Sequence, residues 1–343
     1  MSSQLWEEIM QQPDVLADAI TVNWPLAREI AEWASAEDYT YALIAARGTS
    51  DNAARYAQYL WGHLNRLNVA LAAPSLFGPL LGPPDLAHAM VVGVSQSGES
   101  PDLVAVLEEG RRQGRPTLAI TNHADSPMAR AADRVLQLRA GTEKAVAATK
   151  TYTTELVAIA LLSAAMLNDE SMKASLGHVP HLVGQVVGES EAINRAAATR
   201  RDMNRCVVLG RGYHQSTAFE WALKMAELTY VVAQPFSTAD FRHGPIAMIE
   251  QDFPVMAVST MGPLHDEVCE VIADVIDAGA RVVAITDDAR CPATDRILLP
   301  PTEPWLSPLV SIVAAQIFTH HLAKAKGLDP DLPRGLRKVT KTR

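Results

Sequence analysis

The sequence is poor in the residues and runs that mark several large classes of protein. It contains 3 cysteines in 343 residues, and none of them forms a CxxC pair. An odd number of cysteines without paired spacing indicates neither a disulfide framework nor a zinc knuckle. We therefore expect Cys206, Cys269 and Cys291 to be small, buried hydrophobic residues.

Long hydrophobic runs and an excess of basic charge are also missing. The longest apolar stretch, VAIALLSAAML at 157–167, is too short to span a membrane, and the N-terminal sequence MSSQLWEEIM has no signal-peptide pattern. Lys and Arg number 30 against 39 Asp and Glu, a formal net charge of -9. This balance argues against a nucleic acid or an anionic membrane as the main partner. We expect a globular, cytoplasmic protein.

Common nucleotide and metal motifs are absent as well. No P-loop pattern occurs, and Gln215 stands where a dinucleotide fingerprint starting at Gly210 would need its third glycine. We expect the adjacent His320 and His321 to point apart on a helix, and the other histidines show no ligand spacing. The sequence therefore predicts no metal site.

What is present is an alternation of short β-branched runs with longer helical patterns. The runs lie at 41–46, 89–94, 117–121 and 134–138 in the first half, and at 205–210, 254–259, 281–286 and 296–300 in the second. This alternation is typical of an α/β fold with parallel strands.

The two halves also resemble each other. Matching Arg47 to Arg211 and Ser95 to Ser259 requires the same offset along the chain, and a third match, Ile120 to Ile285, differs by one residue. This predicts two copies of one doubly wound domain. We place the first domain at 1–180, with N-terminal helices, the second at 195–325 and a C-terminal tail at 326–343.

Two predicted strands end in clusters of hydroxyl side chains. SQSGES at 95–100 follows an apolar strand and precedes a helix that should start near Pro101, and Gly48, Thr49 and Ser50 occupy the same position after the first strand. Ligands of parallel sheets collect at the carboxyl ends of strands, and a tight turn before a helix suits an anion. Ser100 could simply cap the helix, but a cap needs one hydroxyl and not three. A phosphorylated, polyhydroxylated ligand is predicted.

A helix in the second half carries a narrow charged stripe. Glu220, Lys224 and Glu227 are spaced to share one face of AFEWALKMAEL at 218–228, and the other positions are largely apolar. The stripe is expected to face a cleft, although an ordinary surface Glu–Lys pair has the same spacing. His243, in RHGP, is either a catalytic group or a turn residue.

Four segments together resemble the double sugar isomerase (SIS) family, which includes the isomerase module of glucosamine-6-phosphate synthase and the SIS-type glucosamine-6-phosphate deaminases. They are SQSGES, AGTEKAVAATKTYTTEL at 140–156, LGRGYHQSTAFEWALKMAEL at 209–228 and FRHGP at 241–245. The resemblance covers nearly the whole chain. It implies two tandem flavodoxin-like domains, a homodimer and a hexose 6-phosphate as substrate.

The resemblance also implies roles for individual residues. The phosphate would be held by Ser95, Gln96, Ser97 and Ser100, and further substrate contacts would come from Thr49, Ser50, Glu143 and Val146. The implied catalytic residues are Glu227, which would shuttle a proton between C1 and C2, His243, which would open the sugar ring, Lys338, which would form a Schiff base, and Lys224.

The chain departs from the family pattern at several places. Ala148 stands where the pattern has serine, Arg337 interrupts the Leu-Ala-Lys expected at 336–338, and the tail PRGLRKVTKTR could equally be a solvated basic end. The sequence starts at Met1 and moves directly into the SIS region, so we expect no glutamine hydrolysis. It then resembles the deaminase branch most, which converts glucosamine 6-phosphate to fructose 6-phosphate and ammonia without a cofactor.

Other functions use the same residues. A plain aldose–ketose isomerase, or a deglycase of fructosamine 6-phosphate, would need the same glutamate and histidine, because only the substituent at C1 or C2 of the substrate differs. A non-catalytic sugar-phosphate sensor is a third possibility. Sensors of this kind rely on an added DNA-binding or partner domain, and we expect the first 20 residues to leave no room for a helix-turn-helix.

Overall fold

A computed structural model describes residues 3–78 and 81–338. Its helices are α1 (Gln4–Met10), α2 (Gln12–Ser35), α3 (Thr49–His63), α4 (Pro101–Arg112), α5 (Pro127–Ala131), α6 (Lys150–Met166), α7 (Glu170–Leu176), α8 (Val179–Gly188), α9 (Ser190–Ala198), α10 (His214–Thr229), α11 (Thr238–Arg242), α12 (His265–Asp277) and α13 (Ser307–Ala325). Short 3-10 helices cover Pro74–Phe77 and Pro245–Met248.

The strands form two five-stranded sheets in which every pairing is parallel. They are β1 (Tyr41–Ala45), β2 (Asn68–Leu71), β3 (Ala89–Ser95), β4 (Thr117–Thr121) and β5 (Arg134–Gln137) in one sheet, and β6 (Arg205–Gly210), β7 (Val232–Ser237), β8 (Pro254–Ser259), β9 (Arg281–Thr286) and β10 (Asp295–Leu298) in the other.

The strand orders show that one domain has been duplicated. The first sheet has the order β2-β1-β3-β4-β5, and the second has β10-β9-β8-β6-β7, which is the same order when the strands of each half are numbered from one. This is the flavodoxin-like order. The predicted fold class, two tandem flavodoxin-like α/β domains, is confirmed. The domain boundaries stay a prediction.

The chain forms two compact units, each discontinuous in sequence. The first-sheet unit contains residues 14–143, 150–178 and the chain from residue 337; the second-sheet unit contains the chain up to residue 13, residues 144–149 and residues 179–336.

The central strands were predictable because they are buried on both sides. All seven residues of β3 and all five of β4 are buried, which gives continuous apolar runs. The sequence analysis missed β2 and β7, the strand at one edge of each sheet. Their residues are only partly buried, so no apolar run marks them in the sequence. Pro235 within β7 is tolerated because an edge strand has a side without a neighbouring strand, where a backbone N–H is not needed for pairing.

The apolar stretch at 157–167 belongs to a buried helix. Residues 150–165 of α6 are all buried, and Trp61 of α3 donates its indole N–H to the carbonyl of Ile159 at 3.1 Å. Among the described residues, no helix is long and apolar enough to cross a membrane. The predicted cytoplasmic location stays a prediction.

Two expectations about sulfur and imidazole side chains need correction. Cys206 and Cys291 are buried as predicted, but Cys269 is partly exposed because it lies near the edge of the buried face of α12. The rings of His320 and His321 do not point apart, since both pack against Trp6 and their centroids are 5.1 Å from each other.

Candidate functional site

The loop after β3 forms a tight, internally hydrogen-bonded turn. The Ser95 hydroxyl accepts from the N–H of Gly98 at 3.1 Å, and the Ser97 hydroxyl accepts from the N–H of Glu99 at 3.3 Å. Ser95 is buried, whereas Gln96 and Ser97 are partly exposed. A hydroxyl that accepts one hydrogen bond can still donate its own proton. The loop can therefore present hydroxyl donors to an anion.

The helix after this loop starts as the sequence predicts. Ser100 occupies the N-cap position of α4 and Pro101 the first helical position, but the Ser100 side chain makes no capping hydrogen bond. Ser100 thus occupies the N-cap position, as predicted, but its hydroxyl does not cap the helix. A partly exposed hydroxyl that does not cap its helix is well suited to contact a ligand.

Gly98 is required by the shape of the loop. Its φ is +62°, and a Cβ built there would lie 2.2 Å from the Ser126 hydroxyl. Ser126 is held in place because that hydroxyl accepts from the N–H of Ala129 at the start of α5. Neither a left-handed backbone nor this close approach tolerates a side chain.

We expect Gly98→Ala to lower the free energy of unfolding by about 2–4 kcal/mol, the sum of backbone strain and overpacking. Gly141→Ala is the matched control, because Gly141 has a φ of +65° and no atom within 4 Å of the added Cβ. Only the backbone cost of about 1–2 kcal/mol applies there. Urea denaturation measures both, and equal losses in the two variants would contradict the role of the Ser126 contact.

The turn after β1 is tied to other elements of the first-sheet unit. Thr49, partly exposed, is the first residue of α3, and the buried Ser50 donates its hydroxyl to the Glu155 carboxylate of α6 at 2.7 Å. Arg47 forms an ion pair with Asp102 at 2.8 Å. Because Asp102 lies in the first turn of α4, this pair links the two hydroxyl-rich turns.

Glu155 and the Arg47–Asp102 pair were missed by the sequence analysis. Glu155 is a buried carboxylate in a helix that is otherwise largely apolar. A buried charge requires a partner, so this position carried a usable signal. Nothing in the sequence indicated that Arg47 would pair with a residue 55 positions away.

A pocket of 480 Å³ opens beside Gln96 in the first-sheet unit. It is lined by Asp18, Gln96, Asn122, His123, Gln137, Arg139, Gly141, Thr142 and Glu143. Its volume lies in the range of small-molecule sites, and its lining offers amide, imidazole, guanidinium and carboxylate groups. Two predicted substrate-binding residues, Gln96 and Glu143, therefore border one polar pocket.

Glu143 and the predicted Schiff-base lysine lie together. The buried Glu143 carboxylate accepts from the Thr151 hydroxyl at 2.7 Å and from the Lys338 ammonium at 2.6 Å. Lys338 is partly exposed, so this part of the tail is paired rather than fully solvated. An ammonium has no lone pair for a carbonyl carbon, so Lys338 must release a proton before it can form a Schiff base. Residues 339–343 of the predicted tail lie outside the described residues.

The charged stripe of α10 lies in the second-sheet unit and is buried at one end. Lys224 is 2% exposed and lies between two carboxylates, 2.5 Å from Glu227 and 3.5 Å from Glu220. The Glu220 side chain is fully buried, whereas Glu227 is 24% exposed. The interpretation as an ordinary surface pair is therefore wrong. Of the three groups, only Glu227 is accessible for proton exchange with a ligand.

His243 and Val146 belong to the same unit as Glu227. His243 is exposed, follows the last residue of α11 and precedes Gly244, whose φ is +142°. Glu227 and His243 are not joined by a hydrogen bond or an ion pair in the described chain. Val146 is partly exposed. Glu227 and His243, the two groups of the predicted acid–base pair, are thus each accessible, and they are not bonded to each other.

The segment that carries Val146 is positioned by a residue that the sequence analysis missed. The buried Glu8 of α1 accepts from the backbone N–H of Lys144 at 2.5 Å and of Ala145 at 3.2 Å. Gln316 of α13 donates to the carbonyl of Thr149 at 3.3 Å. Glu8 is one of two adjacent glutamates in a short helix, and nothing in the local sequence distinguishes it from Glu7.

The remaining titratable clusters show no metal-binding arrangement. Within the ranges 3–78 and 81–338, no group of three or more His, Cys, Asp or Glu side chains is placed to hold a metal ion.

Two parallel sheets with the flavodoxin-like strand order define a tandem α/β protein, and each half matches the same family. SIS domains match residues 41–165 and 201–323. The chain belongs to the SIS domain family, with two SIS domains, as its motifs predict.

The relatives are aminotransferases and isomerases by name. The chain is 32% identical over 348 residues to a glutamine–fructose-6-phosphate aminotransferase (isomerizing) from Thermococcus kodakarensis, covering 97% of this chain and 57% of that protein. It thus spans little more than half the length of this relative. Because the match covers only this part of the relative, the activity of the whole relative is not assigned to this chain.

Two solved structures share the fold over almost their whole length. The C-terminal domain of glucosamine-fructose-6-phosphate aminotransferase from Francisella tularensis has a TM-score of 0.89 at 24% identity, covering 97% of this chain and 99% of that one. A protein from Silicibacter pomeroyi with the provisional name phosphosugar isomerase has a TM-score of 0.87 at 29% identity, covering 96% and 100%. At 24% identity, the similarity to the Francisella tularensis domain shows a shared fold only.

Proposed function

We propose that this chain is a hexose-6-phosphate isomerase of the deaminase type, which converts glucosamine 6-phosphate and water to fructose 6-phosphate and ammonia. The observation that supports it most is the buried Glu220–Lys224–Glu227 group, in which only Glu227 reaches the surface. A partly exposed carboxylate that accepts a hydrogen bond from a buried lysine is positioned for proton transfer to and from a ligand. The names of the relatives support a phosphorylated sugar as substrate.

The loop after β3 is proposed to bind the phosphate. The hydroxyls of Ser95, Ser97 and Ser100 and the amide of Gln96 are neutral donors, and Gly98 allows the backbone to turn tightly around the anion. Thr49 and Ser50 are proposed to contact the sugar. Glu155 fixes the Ser50 hydroxyl, so this contact is positioned by the fold.

The proposed reaction starts with opening of the sugar ring by His243, which transfers a proton to the ring oxygen. Glu227 then removes the proton from C2 and returns a proton to C1, while a proton passes from the C2 amine to O1, so that the C1 aldehyde becomes a hydroxymethyl group and the C2 amine becomes an imine. Water adds to C2 and ammonia leaves, which yields fructose 6-phosphate. Lys338 is proposed to pass its ammonium proton to the Glu143 carboxylate and then to bind the ketose as a Schiff base, in which its nitrogen adds to C2 and water leaves.

An aldose–ketose isomerase or a fructosamine-6-phosphate deglycase would use the same residues, and the fold is common to all three. The test is incubation with glucosamine 6-phosphate without glutamine, beside a panel of other hexose phosphates. We expect ammonia and fructose 6-phosphate in equal amounts. Interconversion of another hexose phosphate without ammonia would assign an isomerase, and binding without turnover of any of them would assign a sensor.

Removal of the loop hydroxyls is expected to affect binding more than catalysis. Ser97→Ala and Ser100→Ala should each raise KM about tenfold or more, because a hydrogen bond to a charged group contributes about 1.5–3 kcal/mol. The value of kcat should change little, since phosphate contacts are the same in ground and transition states. Ser35→Ala, at an exposed hydroxyl that bonds only its own helix, is the matched control. A dominant loss of kcat would contradict this role.

The proposed partners are the phosphorylated sugar and a second copy of the chain. Neither nucleic acid nor a membrane is proposed as a partner. The homodimer is proposed from the resemblance to the SIS family, and its test is the subunit-mixing experiment described in the Discussion.

A further inference from the structure

Two cysteine side chains lie together at the strand ends of the second-sheet unit. Cys269 is on α12, Cys291 is in the segment after β9, and their Sγ atoms are 3.8 Å apart. Both are free thiols. Cys291 is 1% exposed and belongs to the hydrophobic core, whereas Cys269 is partly exposed at the rim of that core. One residue of the pair thus reaches the surface, and the other is enclosed in the core beside it.

A fixed imidazole lies beside the accessible thiol. Nε2 of His265 is 3.5 Å from the Cys269 Sγ and 3.2 Å from the Asp288 carboxylate, and Nδ1 is 2.9 Å from the Ser259 hydroxyl. His265 is held on both sides and is buried. Ser259 and Asp288 bond the two ring nitrogens in the reverse of the serine–histidine–aspartate triad arrangement, and Ser259 is only 2% exposed, so it is not an accessible nucleophile. Cys269 is the accessible nucleophile of the cluster.

These contacts favour the thiolate form of Cys269. The hydrogen bond with Cys291 and the neighbouring His265 lower the pKa of Cys269 to about 7, against the opposing effects of burial and of the Asp288 carboxylate. The same hydrogen bond, together with burial, raises the pKa of Cys291. Of the two thiols, Cys269 therefore loses its proton first. By contrast, burial alone raises the pKa of Cys206 to about 12.

We propose that Cys269 and Cys291 form a redox-active thiol pair that reacts with hydroperoxides. The Cys269 thiolate attacks the terminal oxygen of the peroxide: an S–O bond forms, the O–O bond breaks, and the leaving oxygen takes a proton and departs as water or an alcohol. Cys291 then attacks the sulfenic sulfur: an S–S bond forms and water departs with the Cys291 proton. Two thiols are oxidised by two electrons, and one peroxide is reduced.

This site lies at the position in the second sheet that corresponds to the phosphate loop of the first. Ser259 ends β8 as Ser95 ends β3, but the residues that follow differ between the two halves. The second half places His265, Cys269 and Asp288 around its strand ends where the first half places hydroxyls. The duplicated domain has thus kept its architecture while the groups at the strand ends have changed their chemistry.

The first measurement is alkylation of the reduced protein by iodoacetamide at pH 7. The lowered pKa of Cys269 increases its thiolate fraction at pH 7 relative to an ordinary thiol. Cys269 should therefore be alkylated at pH 7 in the folded protein, whereas the buried Cys206 should not react until the protein is unfolded. His265→Gln should slow the reaction of Cys269.

The second measurement is peptide mapping after hydrogen peroxide treatment and alkylation under denaturing conditions. The native protein should yield the Cys269–Cys291 disulfide within one chain, and Cys206→Ala, the matched control, should do the same. Cys291→Ser cannot close the bond, so its Cys269 should be captured by dimedone as sulfenic acid. Full alkylation of both thiols after peroxide, absence of the dimedone adduct in Cys291→Ser, or disulfides only between chains would overturn the proposal.

Discussion

Replacement of Glu227 by glutamine is expected to lower kcat about 10²- to 10⁴-fold, the usual contribution of a general acid–base group, while substrate binding stays nearly unchanged. Glutamine keeps the shape of the side chain and still accepts from Lys224, which lies 2.5 Å from the Glu227 carboxylate. It cannot take a proton from C2. The steady-state rate measures the loss, and isothermal titration with the sugar phosphate measures binding.

Two controls separate the loss of the base from the loss of charge or of folding. Glu191→Gln removes a carboxylate from an exposed position on α9 and should leave kcat unchanged. Glu227→Gln should keep a native circular dichroism spectrum, because Lys224 retains Glu220 as a partner at 3.5 Å. Normal turnover by a folded Glu227→Gln protein would exclude Glu227 as the proton carrier.

Mixing two inactive variants is expected to restore activity. The resemblance to the SIS family implies that each active site takes Glu227 from one subunit and His243 from the other, and a two-fold interface makes each such contact twice. Glu227→Gln and His243→Ala chains, unfolded and refolded together in equal amounts, should give about half mixed dimers. Each mixed dimer has one intact site, so active sites should recover to about one quarter of the wild-type number.

If His243 serves the site of its own chain, every site keeps one lesion and the mixture stays inactive. Wild-type protein carried through the same procedure shows whether refolding is competent, and chains with two different tags show whether mixed dimers have formed. Inactivity under these conditions, with mixed dimers present, would refute the shared site. A protein that stays monomeric at working concentration would refute the homodimer itself.

Sequence analysis predicted the parts of this protein that follow from local patterns. The central strands are apolar because both faces are buried, so β3, β4, β8 and β9 could be predicted along with their duplication. The hydroxyl-rich turn after β3 and the start of α4 at Pro101 were predicted correctly, because strand ends, glycine and proline act on their immediate neighbours. The edge strands β2 and β7 show no continuous apolar run, because many of their residues are partly or fully exposed to solvent.

Tertiary structure decided which polar groups meet. Glu8 binds the backbone of Lys144 across 136 positions, and Ser50 meets Glu155 across 105. It also decided which member of a pattern is buried, as in the stripe where Glu220 is enclosed and Glu227 is accessible. Cys269 and Cys291 are 22 positions apart with no motif between them. Contacts of this kind depend on how distant segments pack. The residues next to a charged side chain or a cysteine in the sequence do not indicate which distant side chain will lie beside it in the fold.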